Sequence, residues 1–305
     1  MPRDLNHDYR SRCIYHITVT KCEGAPVFSE IKGNLSDVRC NLLPIGRIIR
    51  DNLRCIPMLS PQLEVLQYVI MPDHIHFILF VKGYLNQHVG KYIGEWKNLI
   101  AREVIHHLSL SGKVFNDDYY DRRLRPWQKL DDIYVYVRRN PYRLLVRRLK
   151  RDFFRRIHNW EMNGVVWEAY GNIQIFANPF KYQVQVHRAD SAEEFEAKKQ
   201  CAIYYADNGG VVVSPFFSPR EKEIRDAVIA ARGRMILLIN EPFGERYRPA
   251  GRNFSLCEEG RLLIIAPKHP LPTSRSTCLH LNAVAAAIAT PPGSDARLPR
   301  VSKHR

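Results

Sequence analysis

Apolar and polar positions along the first half of the chain change rhythm repeatedly, and each change marks an element. CIYHITVTK (13–21) alternates as a strand does, while LLPIGRIIRDNLRCI (42–56) spaces Leu42, Ile45, Ile48, Ile49, Leu53 and Ile56 as one helical stripe. LEVLQYVI (63–70) and HIHFILFV (74–81) read as strands separated only by Met71, Pro72 and Asp73, which predicts a tight antiparallel hairpin. A long helix follows, with Val89, Ile93, Trp96, Ile100 and Val104 on one side. VFNDDYYDRRLR (114–125) reads as an irregular strand and PWQKLDDIYVYVRRN (126–140) as a helix. This order predicts an α+β domain, an antiparallel sheet with helices packed on it.

From about Gly171 the rhythm becomes strand–helix alternation. NIQIFA (172–177) is expected to be a strand, and the helix after it opens on Ser191 with Glu194 three residues on, a capping box. VVVSPFF (211–217) leads into SPREKEIRDAVIAARG (218–233), with Ser218 as N-cap, Pro219 at the first helical position and Gly233 as the stop. MILLI (235–239) and LLIIA (262–266) supply two short buried strands. A second, Rossmann-like α/β domain with a parallel or mixed sheet is expected. The expected boundaries are 1–160 and 165–290, with a linker near HNWEMNGVV (158–166) and a flexible basic tail over 291–305. There is no internal repeat.

Charge changes the picture. Lys and Arg number 46 against 31 Asp and Glu, a net charge of +15 over 305 residues. Such an excess points to a polyanion partner, most often nucleic acid, less often an acidic membrane surface; the bland reading is a generic basic surface. Seven scattered cysteines with no C-x-x-C pair give neither a disulfide framework nor a zinc knuckle. No leader-like segment or membrane-length apolar run is present, so the expected compartment is the cytosol.

Two residues then stand out in an otherwise apolar strand. His74 and His76, at i and i+2, point to one face, with Ile75, Phe77 and Leu79 on the other. They read either as buried structural histidines or as two ligands of a divalent ion awaiting a third. Downstream, Leu130, Ile133 and Val137 form the apolar stripe of a helix, with Tyr136 beside it and Asn140 one turn further on. A tyrosine next to a divalent cation can act as a nucleophile on phosphorus. Tyr136 also reads as an amphipathic core residue, and Asn140 before Pro141 as the N-cap of the next helix.

MPDHIHFIL, then YYDRRLR, then YVRRNP, in that order over roughly residues 10–150, resemble the REP-associated tyrosine transposases of the single-tyrosine HUH family. The resemblance implies an HUH-type sheet in which His74 and His76 hold Mg²⁺ or Mn²⁺, with Asn140 as third ligand where relatives carry glutamine. It implies that Tyr136 attacks the scissile phosphate of single-stranded DNA, leaving a 5′-phosphotyrosine and a free 3′-OH. It also implies hairpin DNA as a partner and a homodimer. Tyr119, Tyr120 and Tyr134 compete as nucleophiles, but none pairs with Asn140 at i+4.

Arg122, Arg123, Arg125, Arg138, Arg139, Arg143, Arg147 and Arg148 surround the tyrosine helix and are the expected contacts to DNA phosphates, with Trp127, Tyr119 and Tyr120 available to stack bases. The alternative for these arginines is a solvated helix face. The second half is loosely similar to the Rossmann-like domain of DNA-processing protein A, but lacks a G-x-G-x-x-G turn. If it binds an anion, the helix start after Ser218, near Arg220 and Lys222, is the expected place. Two rival functions remain at this level: a non-catalytic nucleic-acid-binding protein derived from a transposase, and a metal-dependent hydrolase that uses H-x-H without a covalent tyrosine.

Overall fold

The computed structural model describes residue 4 and residues 6–290, apart from 111, 163 and 273. The tail expected over 291–305 lies outside the described residues. The chain divides into two compact units at Val146–Arg147.

In the first unit β1 (Cys13–Thr20) is followed by a hairpin of β2 (Ser29–Asn34) and β3 (Asp37–Leu42), which the sequence pattern did not announce. Then come α1 (Pro44–Arg54), the short α2 (Ile56–Leu59), β4 (Leu63–Ile70), β5 (His74–Val81), α3 (Val89–Leu108), β6 (Tyr120–Arg123), α4 (Leu130–Arg138) and α5 (Asn140–Leu149), whose last three residues fall in the second unit. The main sheet runs β4–β5–β1–β6, antiparallel throughout. One face carries the core: Tyr15, Ile17 and Val19 from β1 and Ile75, Phe77 and Leu79 from β5 are all sealed from solvent. They join one apolar cluster with Ile49 and Leu53 of α1 and Trp96 and Ile100 of α3. Gly46 lets α1 lie flush on the start of β2, since a Cβ there would stand 2.0 Å from the Phe28 carbonyl oxygen. The opposite face of β1 and β5 is where His16, Thr18, His74 and His76 emerge.

The second unit holds β7 (Arg155–Met162), β8 (Val165–Gly171), β9 (Lys181–Gln183), α6 (Ala192–Asp207), β10 (Val211–Ser214), α7 (Pro219–Ala230), β11 (Arg234–Leu238), α8 (Gly251–Glu258), β12 (Leu262–Pro267) and α9 (Arg275–Ala289). Its sheet order is β7–β8–β12–β11–β10–β9. β9 to β12 are parallel, and β8 and β7 close one side antiparallel, so the sheet is mixed. β10 and β12 are buried along their whole length, as expected of parallel strands covered on both faces. Val211, Val213, Ile236, Leu238, Leu263 and Ile265 share one core with Leu281 and Val284 of α9.

Three expectations change. The segment 158–166 is no linker: within it Trp160, Glu161 and Met162 of β7 pair with Trp167, Val166 and Val165 of β8, and the unit boundary falls before them, so residues 147–160 lie in the second unit. Ile173–Ala177 forms a 3-10 turn, because Asn172 caps it by accepting from the Gln174 amide; the strand ends at Gly171, with φ +128°. The tyrosine-bearing helix starts at Leu130 rather than Pro126. Both predicted capping boxes, Ser191 with Glu194 and Ser218 with Glu221, are formed.

Candidate active site

The turn between β4 and β5 fixes where His74 begins. Met71 N–H donates to the His74 carbonyl (2.8 Å), Lys21 N–H to Asp73 (2.8 Å) and Phe28 N–H to Pro72 (2.9 Å), so every residue of the turn is tied to the sheet or its neighbours. His74 and His76 then share one face, their Nε2 atoms 3.1 Å apart. The other ring nitrogen of each is engaged by an oxygen: His74 Nδ1 meets Asp73 Oδ1 at 2.7 Å and His76 Nδ1 meets Thr18 Oγ1 at 2.8 Å. With both Nδ1 atoms so engaged, the two Nε2 atoms are the ring nitrogens turned towards each other on this face.

Thr18 reaches His76 because the two are directly paired across β1 and β5. His16, two residues earlier on the same face, places Nε2 3.2 Å from His76 Nδ1. Sequence reading passed over His16 and Thr18. Their signal was the polar series His16, Thr18, Thr20 at spacing two, which gains meaning only once β1 is placed beside β5. Burial first, with the neighbouring His74 and His16 imidazoles, pushes His76 down to about 2. Burial and then Arg122 push His16 down to about 4. Both rings are therefore neutral at physiological pH, the form that donates a lone pair to a metal.

Tyr136 stands over this face. Its ring centroid is 5.7 Å from that of His16 and 6.0 Å from that of His76, and the residue is 38% exposed. The Arg143 guanidinium lies 4.9 Å from the Tyr136 ring centre. Asn140 is buried beneath, its Nδ2 donating to the carbonyls of Tyr136 (3.0 Å) and Val137 (3.3 Å). It opens α5 and at the same time satisfies the carbonyls at the end of α4. Tyr134, by contrast, makes no ring contact with the histidines among those described, and Tyr120 lies on β6 opposite Thr18.

A metal fits the histidine pair. Adjacent ligands of an octahedral ion at about 2.1 Å are separated by about 3.0 Å, the spacing of these two Nε2 atoms. Among the described residues no group of three His, Cys, Asp or Glu is arranged to hold a metal ion, so a third protein donor would have to be of another type.

The expected DNA-contacting arginines do not form one set. Arg122, Arg125, Arg138, Arg139 and Arg148 are exposed. Arg123 is bonded to Asp4 (3.0 Å) and His7 (2.7 Å), Arg143 is buried beside Tyr136, and Arg147, in the second unit, lies over Phe154 and Phe254. The helix start after Ser218 is closed as an anion site. Ser218 Oγ takes the Glu221 amide, and the buried Glu221 carboxylate takes the amides of Ser218 and Val186, so a negative charge already occupies it.

No known family profile matches the chain. An uncharacterized protein of Haemophilus influenzae is 24% identical over 156 residues, covering 45% of this chain and 84% of that protein. Among solved structures, a REP-associated tyrosine transposase bound to a REP hairpin shares 14% identity over 46% of this chain and 73% of its own, with a TM-score of 0.34. A protein of Deinococcus radiodurans assigned as a transposase shares 18% over 45% of this chain and 96% of its own, with a TM-score of 0.29. No described helix is long and apolar enough to cross a membrane.

Proposed function

We propose that the first unit is a metal-dependent single-stranded DNA nickase and strand transferase acting through Tyr136. The observation that supports this most is the convergence of three separately encoded features: two imidazoles presenting Nε2 at 3.1 Å, oxygen partners on both Nδ1 atoms, and a tyrosine ring within 6.0 Å of His76. His74 and His76 would hold Mg²⁺ or Mn²⁺, with the Asn140 side-chain oxygen as candidate third donor. When bound, the ion withdraws charge from a phosphate oxygen. Tyr136 Oη forms the new bond to phosphorus, the 3′ oxygen leaves and takes up a proton, and the phenol proton is released. The result is a 5′-phosphotyrosine and a free 3′-OH, with no change in oxidation state. Arg143 stabilises negative charge on the tyrosine oxygen side of the ring, and the exposed arginines supply phosphate contacts.

The test is metal-dependent cleavage of single-stranded and hairpin oligonucleotides, with Mn²⁺ binding followed in parallel. His74→Ala and His76→Ala should each abolish cleavage and weaken Mn²⁺ binding while the chain still binds DNA. Cleavage that survives both changes would refute the metal site. Binding without cleavage in the unaltered chain would favour the non-catalytic reading. Metal-dependent cleavage without a protein–DNA adduct would favour a hydrolase.

A further inference from the structure

We infer that the same sheet face carries a second subsite, remote from the histidines, at which Trp127 stacks an unpaired base of single-stranded nucleic acid and Arg12 and Arg125 hold the adjoining phosphates. The inference rests on the DNA-processing reading above and adds to it a place for the strand beyond the scissile phosphate. A cleft of about 740 Å³ lies at the far end of β1 and β5, lined by Arg12, Phe80, Arg123, Arg125 and Trp127 among others, with no acidic residue in its wall. Ile14 pairs with Phe80 there, four residues along each strand from the Thr18–His76 pair. At the strand repeat this sets the cleft about 13 Å from the imidazoles, on their side of the sheet.

Trp127 is 77% exposed, whereas Trp96, Trp160 and Trp167 are 1%, 3% and 0% exposed. Its exposure is built into the turn that carries it: Gln128 N–H donates to the Arg125 carbonyl (2.9 Å) and Arg125 N–H to Gln128 Oε1 (3.0 Å). An indole held out to water by a closed turn costs solvation and contributes nothing to the core. Beside it the Arg12 guanidinium lies 5.5 Å from the Phe80 ring centre, and Arg10 lies over the exposed Tyr84 at 4.5 Å. Asp4 is the counter-charge, bonded to Arg123 at 3.0 Å and reaching Arg125 at 3.7 Å, so Arg123 is a structural member while Arg12 and Arg125 face the cleft. Alternating aromatic surfaces and guanidinium groups fit a single strand, whose bases offer π-faces and whose backbone offers charge. A peptide partner would have to bring acidic groups to the arginines and an apolar side chain to Trp127.

The other tryptophans are buried, so acrylamide quenching of tryptophan emission reads Trp127 in the full chain. The experiment titrates a short single-stranded oligonucleotide into the Tyr136→Phe protein, following quenching and, with labelled DNA, anisotropy. Bound DNA should shield the quenchable component. Trp127→Ala should weaken binding roughly ten-fold, Trp127→Phe should restore most of it, and Arg12→Ala with Arg125→Ala should weaken it further. Saturable DNA binding with unaltered quenching and an unaffected Trp127→Ala variant would overturn the subsite and leave the proposed function standing. Protection of Trp127 that grows with protein concentration in the absence of DNA would overturn it in favour of self-association. Absence of any DNA binding would overturn both.

Discussion

The two sheets of this chain bury their strands in opposite ways. β1 buries Tyr15, Ile17 and Val19 and leaves His16 and Thr18 half-exposed on the other face, whereas β10 and β12 bury every residue on both faces. A sheet with one covered face can carry polar chemistry in mid-strand, where backbone pairing fixes each side chain. A sheet covered on both faces leaves only its strand ends for ligands. In the second unit the helix start after β10 is filled by a capping box and a buried glutamate. The difference favours the first unit for the proposed chemistry.

The largest expected effect breaks the comparison directly. Ile264→Lys and Ile265→Lys point to opposite faces of β12, and each should destabilise the second unit by more than about 4 kcal/mol, because both faces are sealed. In β1, Ile17→Lys should be as damaging, while Thr18→Lys should cost roughly 1 kcal/mol and remove only the site's function. Denaturant unfolding of the four variants measures this. Equal damage at Ile17 and Thr18 would erase the distinction.

Next comes acid. His16 and His76 have folded-state values of about 4 and about 2, below the ordinary 6.5. Below pH 6.5 the unfolded chain therefore binds more protons than the folded one. The stability these rings confer is full above pH 6.5 and is lost as pH falls towards 4, by up to about 2 kcal/mol per imidazole at pH 5. The His16→Gln, His76→Asn double variant should flatten the fall in denaturation midpoint between pH 7 and 5; an unchanged profile would place the acid sensitivity elsewhere.

A smaller effect separates the two roles of Asn140. Its Nδ2 is the donor to the α4 carbonyls, so Asn140→Ala loses these bonds at a cost of about 1 kcal/mol, and Asn140→Asp, which sets a carboxylate against the same carbonyls, costs more. Melting temperature should fall further in Asn140→Asp than in Asn140→Ala, while cleavage should survive only in Asn140→Asp if the side-chain oxygen is a ligand. Smallest is the exposed charge. Arg138→Ala and Arg139→Ala should each lower the salt dependence of DNA binding by about 0.7 to 0.9 of a unit of slope. An unchanged slope in the double variant would make them a solvated face.

How much of this was legible follows from which interactions are local. The H-x-H pair and the capping boxes at Ser191 and Ser218 depend on short-range periodicity and form as read, whereas Tyr136 and Asn140 were read as one turn of a single helix, and α4 instead ends at Arg138 while Asn140 opens α5. His16 and Thr18 were missed because their meaning depends on β1 lying beside β5 in the register that sets Thr18 opposite His76. Arg143 was grouped with exposed arginines because spacing does not disclose that the α4–α5 junction turns it under Tyr136. The 172–177 segment was misread because an Asn172 cap outweighed apolar β-branched content. Segment 158–166 looked like a linker because its polar residues face outward on the sheet's edge strand, β7.

The central claim is that Tyr136 becomes joined to DNA. It is tested most directly by incubating the full chain with single-stranded oligonucleotide and Mn²⁺, isolating the denaturation-resistant adduct, and mapping the modified peptide by mass spectrometry. The account predicts a nucleotide-bearing 5′-phosphotyrosine at Tyr136 and no adduct in Tyr136→Phe, whose DNA binding stays close to that of the unaltered chain. An adduct that persists in Tyr136→Phe, or that maps to Tyr120 or Tyr134, would contradict it.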